Sequence, residues 1–306
     1  MVISGTKLAA EIGTTRAEVW RLVQQLRHYG VSIEGRPATG YRLRSIPDLL
    51  LPEIVAPLIR GTIFSHFIHH YYRIGSTNTT ALEAAAAGAP EGSVFLAEQQ
   101  TAGRGRGSHS WNSQRSSGIY CSVILRPVMP PSEALVFSLA AGLAVQAAIQ
   151  SFRVPVDLKW PNDLLIGGRK VCGILTEMAA EATRVRHIVI GIGINVNQIT
   201  FPPELQNSAI SLQLATGNEW SRVELCAALL KSLNQEYRTL LERPNARESV
   251  LLRFQERSSY VKGRKVYVEE NGGYHGTTYG LDDRGFLRVH TPDGIRLVLS
   301  GSIRAV

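Results

Sequence analysis

Residues 156–178 read VDLKWPNDLLIGGRKVCGILTEM. Two apolar runs flank Gly167–Gly168, and paired glycines between such runs predict a tight hairpin turn. Ahead of the turn, Lys159, Trp160, Pro161 and the pair Asn162–Asp163 follow a short strand. Beyond it, Lys170 stands where the next strand begins. Each feature also has an ordinary reading, Asn162–Asp163 as a turn and Lys170 as a surface cation. Outward from this stretch, β-branched runs alternate with helical ones: HFIHHYYRI, TTALEAAAAGA, SVFLAEQ, GIYCSVILRP, VRHIVIGIGINV and a helical tract at 221–241. That alternation predicts a mixed α/β domain over residues 61–257, built on a largely antiparallel sheet.

Further polar stretches sit among these apolar strands. GSTNTTA (75–81) puts Ser76, Thr77 and Asn78 at a strand-to-helix junction, where they can cap the helix or meet a small polar ligand. TAGRGRGSHSW (101–111) alternates glycine with Arg104 and Arg106. Glycine lets a backbone approach a ligand closely, and arginine brings a permanent forked cation, so this run reads as a loop closing around an anion. A flexible basic loop or an RGG-like RNA-binding stretch is the alternative. GIGINVN (191–197) ends an apolar strand in Gly191, Gly193 and Asn195.

Several chemistries are excluded by absence of their motifs. The chain has no GxxxxGK[ST], no GxGxxG in a strand–helix context, no HExxH and no GxSxG. The 306 residues are 44% hydrophobic and 19% charged, which excludes a disordered chain and predicts more than one domain. A formal charge of +8 fits a polyanionic partner, a phosphorylated ligand or an acidic protein. Cys121, Cys172 and Cys226 lack CxxC spacing and read as buried free thiols in a reducing cytosol. The N-terminus has no signal-peptide core. The apolar stretch 134–152 is interrupted by Ser138, Gly142, Gln146 and Gln150, as in a buried helix and not a membrane span. The expectation is a soluble, cytoplasmic protein with no membrane partner.

Residues 1–45 carry two helical patterns, with Ala9, Gly13, Val19 and Leu22 at helix-turn-helix spacing. Thr15 (or Thr14) and Glu18 form a capping-box pattern, and 31–43 reads as two short strands around a Gly/Pro turn. Together these predict a winged helix-turn-helix, with Thr15, Arg16, Trp20, Arg21 and Arg36 as candidate DNA-facing residues. Only MVIS precedes Gly5, so the module's usual first helix is expected to be missing. Residues 46–60, punctuated by Pro47, Pro52 and Pro57, read as a linker or helix. Residues 258–306 hold short strands split by NGG, DDRG and PDG, the pattern of a small SH3-like β-barrel.

Taken in order, GSTN, EQQTAGRGRG…W, KWPND, GRKVCGILTE and GIGINVN resemble the biotin–protein ligases. With the helix-turn-helix in front and the barrel behind, nearly the whole chain is similar to the bifunctional type that also represses the biotin operon. The resemblance implies an α+β protein with a class II synthetase-like central domain. It implies formation of biotinyl-5'-AMP from biotin and Mg²⁺–ATP, then transfer of biotin to a lysine of a biotin carboxyl carrier protein domain. Operator DNA and a homodimer are the further partners it implies. Lipoate– and octanoate–protein ligases are similar in fold but differ in the central motifs, and a DNA-binding regulator without ligase activity is the other alternative. Carried onto this chain, Ser76, Thr77, Asn78 and Gln100 would bond the ureido ring and its surroundings. Arg104 and Arg106 would order over biotin and the adenylate phosphate, and Trp111 would pack on the adenine. Lys170 would reach the biotin carboxylate and α-phosphate, while Gly173, Gly191 and Gly193 line the pocket. Lys159, Asn162, Asp163 and Asn195 would meet the nucleotide, with Asp163 a magnesium ligand. The family loop often continues with a further Arg and Gly, where this chain has GSHSW.

Overall fold

The computed structural model describes every residue except Met1, Tyr29, Pro37, Ala38, Ile46, Pro47, Ser108, Asn271 and Ser300. The chain divides into two compact units, Met1–Leu49 and Leu50–Val306.

In the first unit, helix α1 (Gly5–Glu11) and helix α2 (Arg16–His28) precede an antiparallel hairpin of β1 (Ser32–Arg36) and β2 (Gly40–Ser45). The hairpin tip expected at Pro37–Ala38 lies outside the described residues. Ala9, Val19 and Val23 form the small core, with Leu8, Ile33 and Tyr41 packed against it. Thr15 caps α2 by accepting from the Glu18 N–H at 3.2 Å. The reciprocal half of the expected capping box is not made, because the Glu18 carboxylate takes the Arg21 guanidinium instead, at 2.7–3.1 Å.

The second unit opens with α3 (Pro52–Leu58) and continues through β3 (Ile68–Tyr71), α4 (Thr77–Ala86), β4 (Val94–Ala97) and β5 (Gly118–Leu125). Then follow α5 (Leu135–Gln150), β6 (Asp157–Lys159), β7 (Asp163–Ile166), β8 (Arg169–Ala180) and β9 (Val185–Asn195). After a short α6 (Leu212–Thr216), the helical tract expected at 221–241 is α7 (Arg222–Glu242), and beyond Pro244 follows a further helix, α8 (Ala246–Arg257). The seven strands pair in the order β3-β4-β5-β9-β8-β7-β6, antiparallel except for β3–β4. Gly167 (φ +57°) and Gly168 (φ +78°) turn β7 into β8, where both positions demand left-handed backbone.

Strand alternation decides where chemistry can sit. Along β9, Ile188, Ile190, Ile192 and Ile194 enter the main core with Ile119, Cys121 and Val123 of β5. The core's other side is α5, whose Leu139, Leu143, Val145 and Ile149 are fully buried. Each such side chain contributes about 1.5–3 kcal/mol. Apolar enough to cross a bilayer, α5 is instead mostly buried inside this unit. On the opposite face Val189 and Ile124 pack under α4. That face therefore receives the intervening residues Gly191 and Gly193 of β9 and Ser122 of β5.

The C-terminal strands β10 (Lys262–Val268), β11 (Tyr274–Leu281), β12 (Leu287–Thr291), β13 (Gly294–Val298) and β14 (Ile303–Ala305) form an antiparallel sheet, order β13-β12-β11-β10-β14. Only three residues long, β14 carried too little pattern to be read in the sequence. This sheet belongs to the same compact unit as the seven-stranded one. Trp160 is buried between them, its indole N–H donating to the Gly285 carbonyl at 2.9 Å.

Inside this unit Glu98 is a fully buried carboxylate. It accepts from the Leu50 N–H (2.9 Å) and Arg222 Nη1 (2.8 Å), and lies 3.2 Å from His70 Nε2. Burial pushes Glu98 up, but the His70 hydrogen bond, the Arg222 charge and the Leu50 amide outweigh it and hold the pKa at about 2. A carboxylate depressed on folding stabilises the fold above its ordinary value of 4.5, and that stability is lost as pH falls toward about 2. The full span is about 3 kcal/mol. Urea midpoints of the protein should fall between pH 6 and pH 3 more steeply than those of Glu98→Gln; equal slopes would remove Glu98 from the account.

Candidate active site

The face beneath the α4 N-terminus is a cleft. Its floor is glycine: Gly173 of β8 lies opposite Gly193 of β9, and Gly191 lies between Leu175 and Ser122. These positions are glycine because other groups occupy the space of a side chain. A Cβ on Gly193 would stand 2.5 Å from Trp111 Cε2, and one on Gly173 2.8 Å from Trp111 Cζ3. One on Gly191 would stand 2.3 Å from Asn78 Oδ1. The Trp111 indole thus lies across the glycine pair, with its N–H buried and without a protein acceptor among the described residues.

At the α4 end, Ser76 caps the helix through the Thr79 N–H, so the capping reading of this residue holds. Thr77 N and Oγ1 both lie in hydrogen-bond range of Gln100 Oε1, at 2.8 and 3.1 Å. Ser122 Oγ is 2.8 Å from Thr77 Oγ1 and 2.9 Å from Asn78 Oδ1. The result is a fixed row of small donors and acceptors, suited to a small polar ring.

Three cations stand around the mouth. Lys170 Nζ is 2.6 Å from Asp163 Oδ1 and 5.7 Å from the Trp111 ring centre. Arg104 donates to both oxygens of Glu177, at 2.9 and 2.8 Å. Arg106 reaches the Gly301 carbonyl at 3.4 Å; burial lowers its pKa while Asp163 and Glu270 oppose the shift. The glycine–arginine segment is a small hairpin, with Arg104 bridged to Ser110 and the Trp111 N–H donating to Gly103 O. Residues 71–195 match the Biotin/lipoate A/B protein ligase family, and residues 263–304 match the Biotin protein ligase C terminal domain. The chain is 37% identical to the bifunctional ligase/repressor BirA of Bacillus spizizenii and 38% identical to that of Bacillus subtilis. Both alignments cover 98% of this chain and 93% of the relative, and so take in the N-terminal unit.

The chain belongs to the biotin protein ligase family.

The biotin protein ligase of Aquifex aeolicus, solved with biotin and ATP, superposes with a TM-score of 0.68 at 29% identity, covering 79% of this chain and all of that one. Of the residues singled out in the sequence of this biotin protein ligase, Ser76, Thr77, Asn78, Gln100, Arg104, Arg106, Trp111, Asn162, Lys170, Gly173, Gly191 and Gly193 line one cleft. Asp163 touches it through Lys170. Asn195 and Lys159 lie outside the residues that line the cleft. The Asn195 amide donates to the Lys170 and Ile210 carbonyls and accepts from Gln198. Lys159 lies 5.9 Å from the Tyr260 ring centre; burial lowers its pKa, Lys170 and Arg304 add to that, and Asp163 and Glu269 oppose it. Asn162 lends its Nδ2 to the Ile174 carbonyl, a bond that fixes β8 beside the cleft. Among the described residues, no three His, Cys, Asp or Glu side chains gather as a metal-ligand set.

Two residues of the site, Ser122 in the cleft wall and Glu177 on Arg104, went unassigned from sequence. Ser122 is a small hydroxyl on the β5 run IYCSVIL, and a serine in a fully buried strand was the available signal. Glu177 lay within a quoted motif without a role. In the N-terminal unit, Arg16, Trp20 and Arg36 line a separate open cleft with Gln24 and Tyr41. Thr15 and Arg21 do not join it, being engaged as helix cap and as the partner of Glu18.

Proposed function

We propose that the protein joins biotin to ATP in the glycine-floored cleft, giving biotinyl-5'-AMP, and passes biotin to a lysine of a biotin carboxyl carrier protein domain. The observation that carries this reading is the convergence of Lys170, Arg104 and Arg106 on a cleft whose inner end is a fixed row of Thr77, Asn78, Gln100 and Ser122. The row matches the donors and acceptors of an ureido ring. The cations meet the problem of the first step, in which a carboxylate attacks the phosphorus of a polyanion. Lys170, beside Gly173, is in reach of both anions, and Arg104 and Arg106 cover them from the loop. Trp111 presents its indole to the adenine. Asp163, a single carboxylate, holds magnesium only together with ATP phosphates, as that ion commonly binds. Enclosure by residues 101–111 keeps water from the mixed anhydride until the carrier lysine attacks its carbonyl and AMP leaves.

The test is transfer: with biotin and ATP, a carrier domain should gain one biotin at its target lysine, read by intact mass, and a Lys→Arg carrier should gain none. A carrier that gains nothing from biotin, yet is lipoylated when lipoate replaces biotin, would overturn the substrate assignment.

A second reading concerns Met1–Leu49, a cytoplasmic operator-binding winged helix-turn-helix acting as a homodimer. It is supported by Arg16, Trp20 and Arg36 around one cleft, with Trp20 58% exposed. Specific binding should weaken steeply with salt and fall with Arg36→Ala; equal, weak affinity for all sequences would discard it.

A further inference from the structure

Glu177 takes both arms of the Arg104 guanidinium, in the glycine–arginine hairpin, and holds a second partner as well. It follows Gly173 and Leu175 along β8, so alternation turns it to the cleft face. Its carboxylate takes Arg104 Nη1 and Nη2 on its two oxygens, and Oε2 also accepts from Asn78 Nδ2 at 2.8 Å. The Glu177 side chain is 25% exposed and that of Arg104 43%. An exposed ion pair of ordinary kind contributes little. This one is bidentate, is shared with a buried amide and spans 73 residues of chain. The sharing matters because an ionised carboxylate only accepts. It therefore compels Asn78 to present Nδ2 to β8, leaving Oδ1 toward Ser122 Oγ above Gly191.

We propose that Glu177 is the positioning residue of this site: its carboxylate ties Arg104 over the cleft mouth before substrate arrives and fixes which atom of the Asn78 amide faces the ligand. The sequence predicts a loop that closes around an anion; for Arg104 the chain supplies such an anion itself. The proposal rests on the ligase reading in one respect, that Asn78 and Arg104 meet biotin. A Glu177→Gln side chain loses the charge and offers an NH₂ of its own, so Asn78 can turn over and Arg104 loses its bidentate partner.

The experiment compares the full-length protein with Glu177→Gln in two assays. In ligand-free protein, trypsin should cut after Arg104 or Arg106 several-fold faster in the variant, with the thermal midpoint unchanged. In biotin-dependent exchange of pyrophosphate into ATP, the biotin KM should rise about 10- to 100-fold, the scale of a lost charged hydrogen bond, while the ATP KM stays within about twofold. A merely structural role would lower the midpoint and move both KM values together. If Glu177→Gln does not fold, Glu177→Asp, which keeps the charge but withdraws it by one methylene, takes its place with the same two shifts expected. Either shift missing overturns the proposal. Absence of biotin-dependent exchange in the unsubstituted protein would sink the ligase reading instead, and the trypsin comparison would still decide whether Glu177 holds Arg104.

Discussion

Lys170→Ala is expected to lower biotin-dependent ATP–pyrophosphate exchange by ~10²–10³, the usual cost of removing one preorganised donor from a developing anion. Biotin itself should still bind, because the row formed by Thr77, Asn78, Gln100 and Ser122 does not touch Lys170. The ammonium is held in place on two sides, by Asp163 at 2.6 Å and by the Trp111 ring at 5.7 Å. Lys170→Arg should recover little: Cε and Nζ already lie 2.9 and 3.1 Å from where a Gly173 Cβ would be, so a broader guanidinium has no room. Exchange rates and equilibrium dialysis with labelled biotin separate the two effects. Exchange at the unsubstituted rate in Lys170→Ala would remove this lysine from the chemistry.

Gly193→Ala tests the floor of the cleft and not its charge. The added methyl would meet Trp111 Cε2, Cζ2 and Nε1 at 2.5, 2.7 and 2.8 Å, so the indole must move. Gly173 faces Gly193 across the strand pair, so the ring is in close contact with both and cannot slide along the floor. Displacing a ligand-facing ring by about 1 Å is expected to cost ~10²-fold in kcat/KM. Far-UV circular dichroism should stay unchanged, because the opposite face of β9, Ile192 and Ile194, is untouched in the core. Kinetics within twofold of the unsubstituted protein would mean that Trp111 does not shape the site.

Much of this architecture is written in short-range pattern. The Gly167–Gly168 turn, the alternation of isoleucine and glycine in GIGIN and the capped start of α4 each depend on residues a few places apart. Period-two alternation alone sends Ile192 and Ile194 to the core and Gly191 and Gly193 to the cleft. Long-range pairing was not legible. Arg104 meets Glu177 across 73 residues and Arg222 meets Glu98 across 124, and nothing near either arginine names its partner. Asn195 shows the same limit: its amide donates to the Ile210 carbonyl, and nothing in the residues around Asn195 names that partner. Cys121, Cys172 and Cys226, by contrast, are free and buried as their spacing implied, with burial pushing the Cys121 and Cys172 thiols up.

The most direct test of the central claim is exchange of labelled pyrophosphate into ATP with biotin or lipoate as the sole acid. The cleft described here predicts exchange with biotin, none with lipoate, and loss of the signal in Lys170→Ala. Exchange with lipoate, or with neither acid, would contradict it.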